Sequence, residues 1–144
     1  MTYWLIKSEP DAFSWAEQVG NDVEPWTGVR NHQAKKNLMA MAAGDRAFFY
    51  HSNVQRAIVG VVEVVREAYP DPSAADGEGP KWAWVCVDVK TVGPMPRPVT
   101  LAEIKDTTAL ADMALVRQSR LSVCPVTEPE WALLCQMGGW SEPA

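Results

Sequence analysis

Three short stretches carry side chains of the kind that read a planar heterocycle: Trp26 with Arg30 and Asn31, then Ser52 and Asn53, then Arg117, Gln118 and Ser119. An indole offers a stacking face, amides and hydroxyls can read a ring's polar edge, and a cation can hold a neighbouring phosphate. Asn31 suits an anion twice over, because it stands where a helix would start and free backbone N–H groups point outward. The charge pattern agrees. The chain carries a net −5, yet from Gly28 to Arg56 it sets Arg30, Lys35, Lys36, Arg46 and Arg56 against Asp45 alone. An acidic chain with a pI near 5.0 is ill suited to coating a nucleic-acid backbone indiscriminately. A local positive rim around one pocket is compatible with it. By residue type alone, Trp26 suits a core equally well, and Lys35 and Lys36 suit a solvated helix face.

Catalysis finds less support. Lys7 and Ser8 have the types of a nucleophile pair, but neighbours on a strand point to opposite faces. Ser8 reads better as a strand-end or pocket hydrogen-bonding residue. His51, in "FFYHSN", has no nucleophile or orienting carboxylate tied to it by spacing, so a structural role is expected. "GGW" near the C-terminus lacks the lysine and helix of a phosphate loop. Cys86, Cys124 and Cys135 form no C-x-x-C and lie far in sequence from both histidines. That argues for reduced, mostly buried thiols in a cytoplasmic protein rather than a disulfide framework or a zinc site. No catalytic set, metal or cofactor is expected.

A length of 144 residues supports one domain, 1–144, with a real core. Hydrophobic residues at 47% and charged residues at 22% are globular values, which argues against disorder. Charge arrives within seven residues of the start, unlike a signal peptide, and no apolar run approaches the ~18 residues of a membrane span.

The elements that must position these residues can be read from pattern. "TYWLIK" predicts a strand apolar on both faces, ended by "SEP". "SWAE", "TLAE" and "TEPE" have capping-box spacing and predict helices starting after Ser14, Thr100 and Thr127. The first should stop at Gly20, and the last should run to about Met137 before Gly138-Gly139. "NDVEPWTG" reads as loop. Asn31 should cap a helix reaching about Ala42, with Ala34, Leu38 and Met41 as its inward stripe. "AFFYHS", "NVQR" and "AIVGVVEVV" predict a hairpin, with Gly60 marking a bend or a close approach. "AYPDPSAADGEGP" reads as loop. "KWAWVCVDVKTV" predicts a long strand with Trp82, Trp84, Cys86, Asp88 and Lys90 on one side. "DTTALADMALV" is helical or irregular, and "RLSVCP" a short strand. The expected fold is α+β, a small mixed β-barrel of five or six strands with short helices packed around it.

In sequence order, "YWLIKSEP", "GVRNHQA", "GDRAFFYHSN" and "RQSRLSV" resemble the EVE domain family over nearly the whole chain. The usual arginine after "QA" is Lys35 here, followed by Lys36, a swap that keeps charge but loses the bidentate fork. The resemblance implies a PUA-like fold, similar also to the YTH domains that read methylated adenine in RNA. It implies a pocket for a flipped base, lined by Lys7, Ser8, Trp26, Val29, Asn31, Ser52, Asn53 and Trp82. Arg30, Lys35, Lys36, Arg117, Gln118 and Ser119 would make phosphate or rim contacts. The implied partner is nucleic acid carrying a modified base, a modified cytosine in DNA before RNA, bound without catalysis by a monomer. Any effector would act in trans. Two alternatives stay open: a small-molecule or protein-interaction domain using the same pocket, and a hydrolase of modified nucleosides placing Lys7 and Glu9 near its site.

Overall fold

The computed structural model describes residues 1–74 and 79–143. Among these residues six strands form one mixed sheet: β1 (Tyr3–Ser8), β2 (Val23–Pro25), β3 (Arg46–His51), β4 (Ala57–Pro70), β5 (Val85–Thr100) and β6 (Val123–Val126). Their order is β2-β5-β4-β3-β1-β6, with β1 and β3 parallel and every other pairing antiparallel. Among the described residues five short α-helices surround it, α1 (Trp15–Asn21), α2 (His32–Ala40), α3 (Leu101–Lys105), α4 (Ala114–Arg117) and α5 (Glu128–Gly138), with one 3-10 turn at Thr108–Leu110.

The sheet is open, which corrects the expected closed barrel. Its outer strands β2 and β6 do not pair with each other. Helix α2 fills the place where closure would have occurred, packing on β6 at one edge and on β5 and β4 toward the other. Ala34, Leu38 and Met41 are all buried, as the stripe predicts, and the Asn37 side chain donates to the Val123 carbonyl of β6 at 2.7 Å. Part of that sheet edge is therefore satisfied by a helix instead of a strand.

Local signals translated directly. Ser14, Thr100 and Thr127 each close a full capping box, and Asn31 accepts from the Ala34 N–H at 2.9 Å. Gly139 ends α5 with φ of 73°, the left-handed turn that glycine adopts without penalty. Gly60 marks a close approach, but by a side chain: the Trp15 ring lies where its Cβ would be. The expected β3–β4 hairpin forms, with its turn at Ser52–Gln55, one residue earlier than the predicted Asn53–Arg56.

Long-range pairing overrode three readings. Val23–Pro25, expected as loop, is drawn into β2 by pairing with Lys90, Val89 and Asp88. Trp82 to Trp84, expected as strand, form a turn, and β5 starts only at Val85. That strand instead continues through Pro94, Pro96 and Pro98. Beyond Lys90 that strand has no β2 partner, and its pairing with β4 is irregular between Ile58 and Gly60, so the prolines fall where the ladder is already interrupted. In the expected loop over 68–80, Ala68 to Pro70 belong to β4, and 75–78 lie outside the described residues.

The core joins both sheet faces. Leu5, Ile6, Phe48, Phe49, Val61 and Val62 are fully buried, and Phe48 stacks on Trp131 of α5 at 3.9 Å. Among the described residues, no helix is long and apolar enough to cross a membrane.

Candidate functional site

A cavity of about 440 Å³ opens between the end of β1, the turn after it and the segment that follows β2. Its lining includes Lys7, Ser8, Phe13, Trp26, Val29 and Arg30. Trp26 is only 8% exposed and is among the residues that line this cavity. Phe13 and Phe49 meet the indole edge-on, at 6.0 Å and 5.5 Å between centroids. Its backbone N–H donates to the Val87 carbonyl at 2.7 Å. The ring is thus fixed from β5 and from two aromatic edges, and serves the core and the cavity wall together.

Lys7 and Ser8 both border the cavity at the C-terminal end of β1, although both are still paired with β3. The Ser8 hydroxyl donates to the Phe13 carbonyl at 2.5 Å, tying the turn to the strand. The Lys7 ammonium donates to the Ser119 carbonyl at 2.9 Å. Neither side chain activates the other. Burial pulls the Lys7 pKa below its usual range, with the Cys124 sulfur acting in the opposite direction.

Arg30 forms part of the wall through an internal brace. It pairs with Asp71 at 3.0 Å and lies over the Trp84 ring at 5.6 Å, on which His32 also stacks. The Asp71 carboxylate is fully buried and also accepts from the Gly28 N–H at 2.9 Å and from Ser73. Burial alone would raise its pKa; the hydrogen bonds from Ser73, Gly28 and Arg30 outweigh that and hold it below the ordinary carboxylate range. In sequence Asp71 falls in a stretch read as loop and Trp84 counts only as one face of a strand; their long-range partners expose their role at this wall.

The remaining expected pocket residues are distributed differently. Ser52 and Asn53 line a second cavity of about 320 Å³, with Lys7, Tyr50, Arg56, Lys105 and Ser119 among its walls. Asn31 borders a third, a groove of about 370 Å³ shared with Arg117, Gln118, Ser119 and Arg120. Lys7 joins the first cavity to the second, and Ser119 joins the second to the groove. Trp82 is 47% exposed on the turn before β5 and borders none of the three, because that turn diverts it from the sheet face. Lys35 and Lys36 sit on α2 away from all three spaces. Arg117 points its guanidinium to Asp112 at 2.6 Å while remaining exposed.

The run of cations from Gly28 to Arg56 is therefore not one patch. Arg46 lies at the opposite end of β3 from His51, bridged to Glu63 and to Glu142, and Arg30 is bound to Asp71. His51 is structural, as expected: Nε2 accepts from the Trp15 N–H at 2.9 Å and Nδ1 meets Gln55 at 2.6 Å. Cys86, Cys124 and Cys135 are free, and burial pushes the last two up to about 11, so they remain thiols at neutral pH.

Residues 2–137 match the family model described as the EVE domain. This chain belongs to the EVE-domain family. It is 37% identical to chicken thymocyte nuclear protein 1 over 90% of its length, and spans 65% of that protein, just under two thirds. A solved Agrobacterium tumefaciens protein superposes with a TM-score of 0.92 at 47% identity, covering 99% of this chain and 97% of that one. Human THYN1 protein, solved in complex with 5-methylcytosine-containing DNA, superposes with a TM-score of 0.87 at 34% identity. That match covers 99% of this chain and all of the other. The EVE fold here is PUA-like, with an open mixed sheet.

Proposed function

We propose that this EVE domain binds DNA containing a modified cytosine and takes the base, turned out of its strand, into the cavity beside Trp26. The carrying observation is that cavity: about 440 Å³, walled on one side by an indole held at fixed orientation. Its size falls within the usual range of small-ligand sites. The human THYN1 complex with 5-methylcytosine DNA, a full-length superposition at 34% identity, supports the choice of nucleic acid and of modification.

The energetics explain why such a site must discriminate by detail. Stacking on an aromatic ring contributes roughly 1–3 kcal/mol per base, and extruding a base costs a few kcal/mol. Those terms nearly cancel. A buried methyl adds about 0.8 kcal/mol by transfer and up to roughly 3 with close packing. A wrong edge that leaves buried polar groups unpaired costs about 1–3 kcal/mol. Selection thus rests on the wall at Trp26 and Val29 and on polar groups at the rim. We read the domain as a binder rather than a catalyst, since Lys7, Ser8 and His51 are each committed to hydrogen bonds outside any nucleophile–base pair.

The test is a fluorescence-anisotropy series with oligonucleotides that differ only at one cytosine: unmodified, 5-methyl and other modifications. Selective binding of a modified strand by the intact domain, lost in a folded Trp26→Ala variant, is the expected result. Equal affinity for all strands, or selectivity that survives in Trp26→Ala, would remove this reading.

A further inference from the structure

We propose that the cavity bounded by Tyr50, Arg56, Lys105 and Ser119 is a phosphate site, seating the backbone phosphate next to the base held beside Trp26. This rests on the function proposed above and adds a second site to it. The base cavity is mixed in charge: Glu9 and Glu24 border it together with Lys7 and Arg30. The second cavity has Lys7, Arg56 and Lys105 on its walls and no carboxylate. Its other polar lining comes from Tyr50, Ser52, Asn53 and Ser119, groups that can donate to an anion.

Two acidic side chains on neighbouring segments are already engaged. Glu103 of α3 is bound by Arg97, and Asp112 by Arg117. Among the described residues, Lys7, Arg56 and Lys105 have no carboxylate partner. Three cations gathered round one space without an anion repel one another, an arrangement a bound phosphate would relieve. Arg56 is held in place: its Nε donates to the Asn53 carbonyl at 3.0 Å, leaving the terminal nitrogens of its fork. Both ends of that contact adopt the left-handed backbone region, Asn53 at φ 64° and Arg56 at φ 51°. Such conformations cost free energy in non-glycine residues and cluster at ligand sites. Burial also depresses the Lys7 pKa, the signature of an ammonium partly stripped of water.

Position supplies the identity of the phosphate. Lys7 borders both cavities, so an anion in one lies a side chain's width from a ring in the other. Within a nucleotide, base and phosphate are separated only by the sugar. Ser119 continues the path into the groove of Arg117 and Arg120, where the strand would run on.

Arg56→Gln and Lys105→Gln, both at exposed positions, test this. In anisotropy titrations across a salt series, each should flatten the plot of log affinity against log salt by about 0.7–0.9. Each should also weaken modified and unmodified strands by the same factor, leaving their ratio intact. A second arm follows amide shifts of Ser52, Asn53 and Ser119 while inorganic phosphate is added to the intact domain. Saturable shifts, reduced in Lys105→Gln, support the site directly and show that it accepts free phosphate as well as the backbone. Wild-type salt slopes in both variants would overturn the phosphate site while leaving base selection standing. Saturable phosphate shifts in a domain with no preference among oligonucleotides would overturn the base-reading function and leave the phosphate site standing.

Discussion

The two cavities that meet at Lys7 are nearly opposite in character. One is walled by Trp26, Phe13 and Val29 and balances two carboxylates against two cations. The other has three cations, hydroxyls and an amide, with no carboxylate. A neutral ring gains from the first by stacking and exclusion of water, and an anion gains nothing there from net charge. A phosphate gains from the second whatever base it carries. On the function proposed above, the two would divide recognition into a part that discriminates and a part that only holds. This also accounts for an acidic protein having a positive site: the charge is concentrated in three dimensions around Lys7, not spread along the surface.

Trp26→Ala should have the largest effect, and on two readouts. Removing a buried Trp costs about 3–5 kcal/mol of stability, visible as a lowered denaturation midpoint. Lost stacking of roughly 1–3 kcal/mol corresponds to about 5- to 150-fold weaker binding of the preferred strand. Trp26→Phe should restore much of the stability and part of the preference.

Asp71→Asn comes next and acts on the first cavity alone. The buried carboxylate holds the Gly28 N–H and Arg30, so its loss should cost about 2 kcal/mol in chemical denaturation. It should loosen base selection while sparing the salt slope. The pH dependence has a definite sign. Asp71 has a depressed folded-state pKa, so the unfolded chain binds more protons as acid is added. Its contribution is present above the ordinary carboxylate range and lost as pH falls through the lower folded value. The acid arm of the stability curve should therefore be shallower in Asp71→Asn than in the native protein.

Lys7→Met probes the shared wall. It should reduce the salt slope by about 0.7–0.9 and also change the preference among modified strands, which Arg56→Gln leaves intact. A Lys7 variant that altered only one readout would separate the cavities more sharply than the lining residues suggest. Lys36→Gln should have the smallest effect, within about 0.5 kcal/mol in both stability and affinity, because it borders none of the three spaces. A large loss of DNA affinity there would restore the idea of a linear basic stretch.

The sequence was most informative where the relevant interaction spans three or four residues. Capping boxes at Ser14, Thr100 and Thr127 need only a hydroxyl and a carboxylate three positions apart, and all three formed. The α2 stripe and the Gly139 stop are equally local. Trp26 and Val29 were placed on the cavity wall by family likeness, and the geometry brings them there. The assignments that changed depended on partners far along the chain. Ser52 and Asn53 were grouped with Trp26, yet the hairpin carries them to the other side of Lys7. Trp82 looked equivalent to Trp84 by alternation, but the strand begins after both.

Residue order alone specified the helix starts, the hydrophobic stripes, the β3–β4 hairpin and an excess of cations behind one tryptophan. Tertiary structure decided which of those cations remained available. Arg30 meets a carboxylate 41 residues away and Arg46 one 96 residues away, while Arg56 and Lys105 converge on one space from different elements. The reason is range: a hydrogen bond within one helical turn is implied by spacing, but the field at a cavity is the sum of charges brought together only when the sheet is assembled.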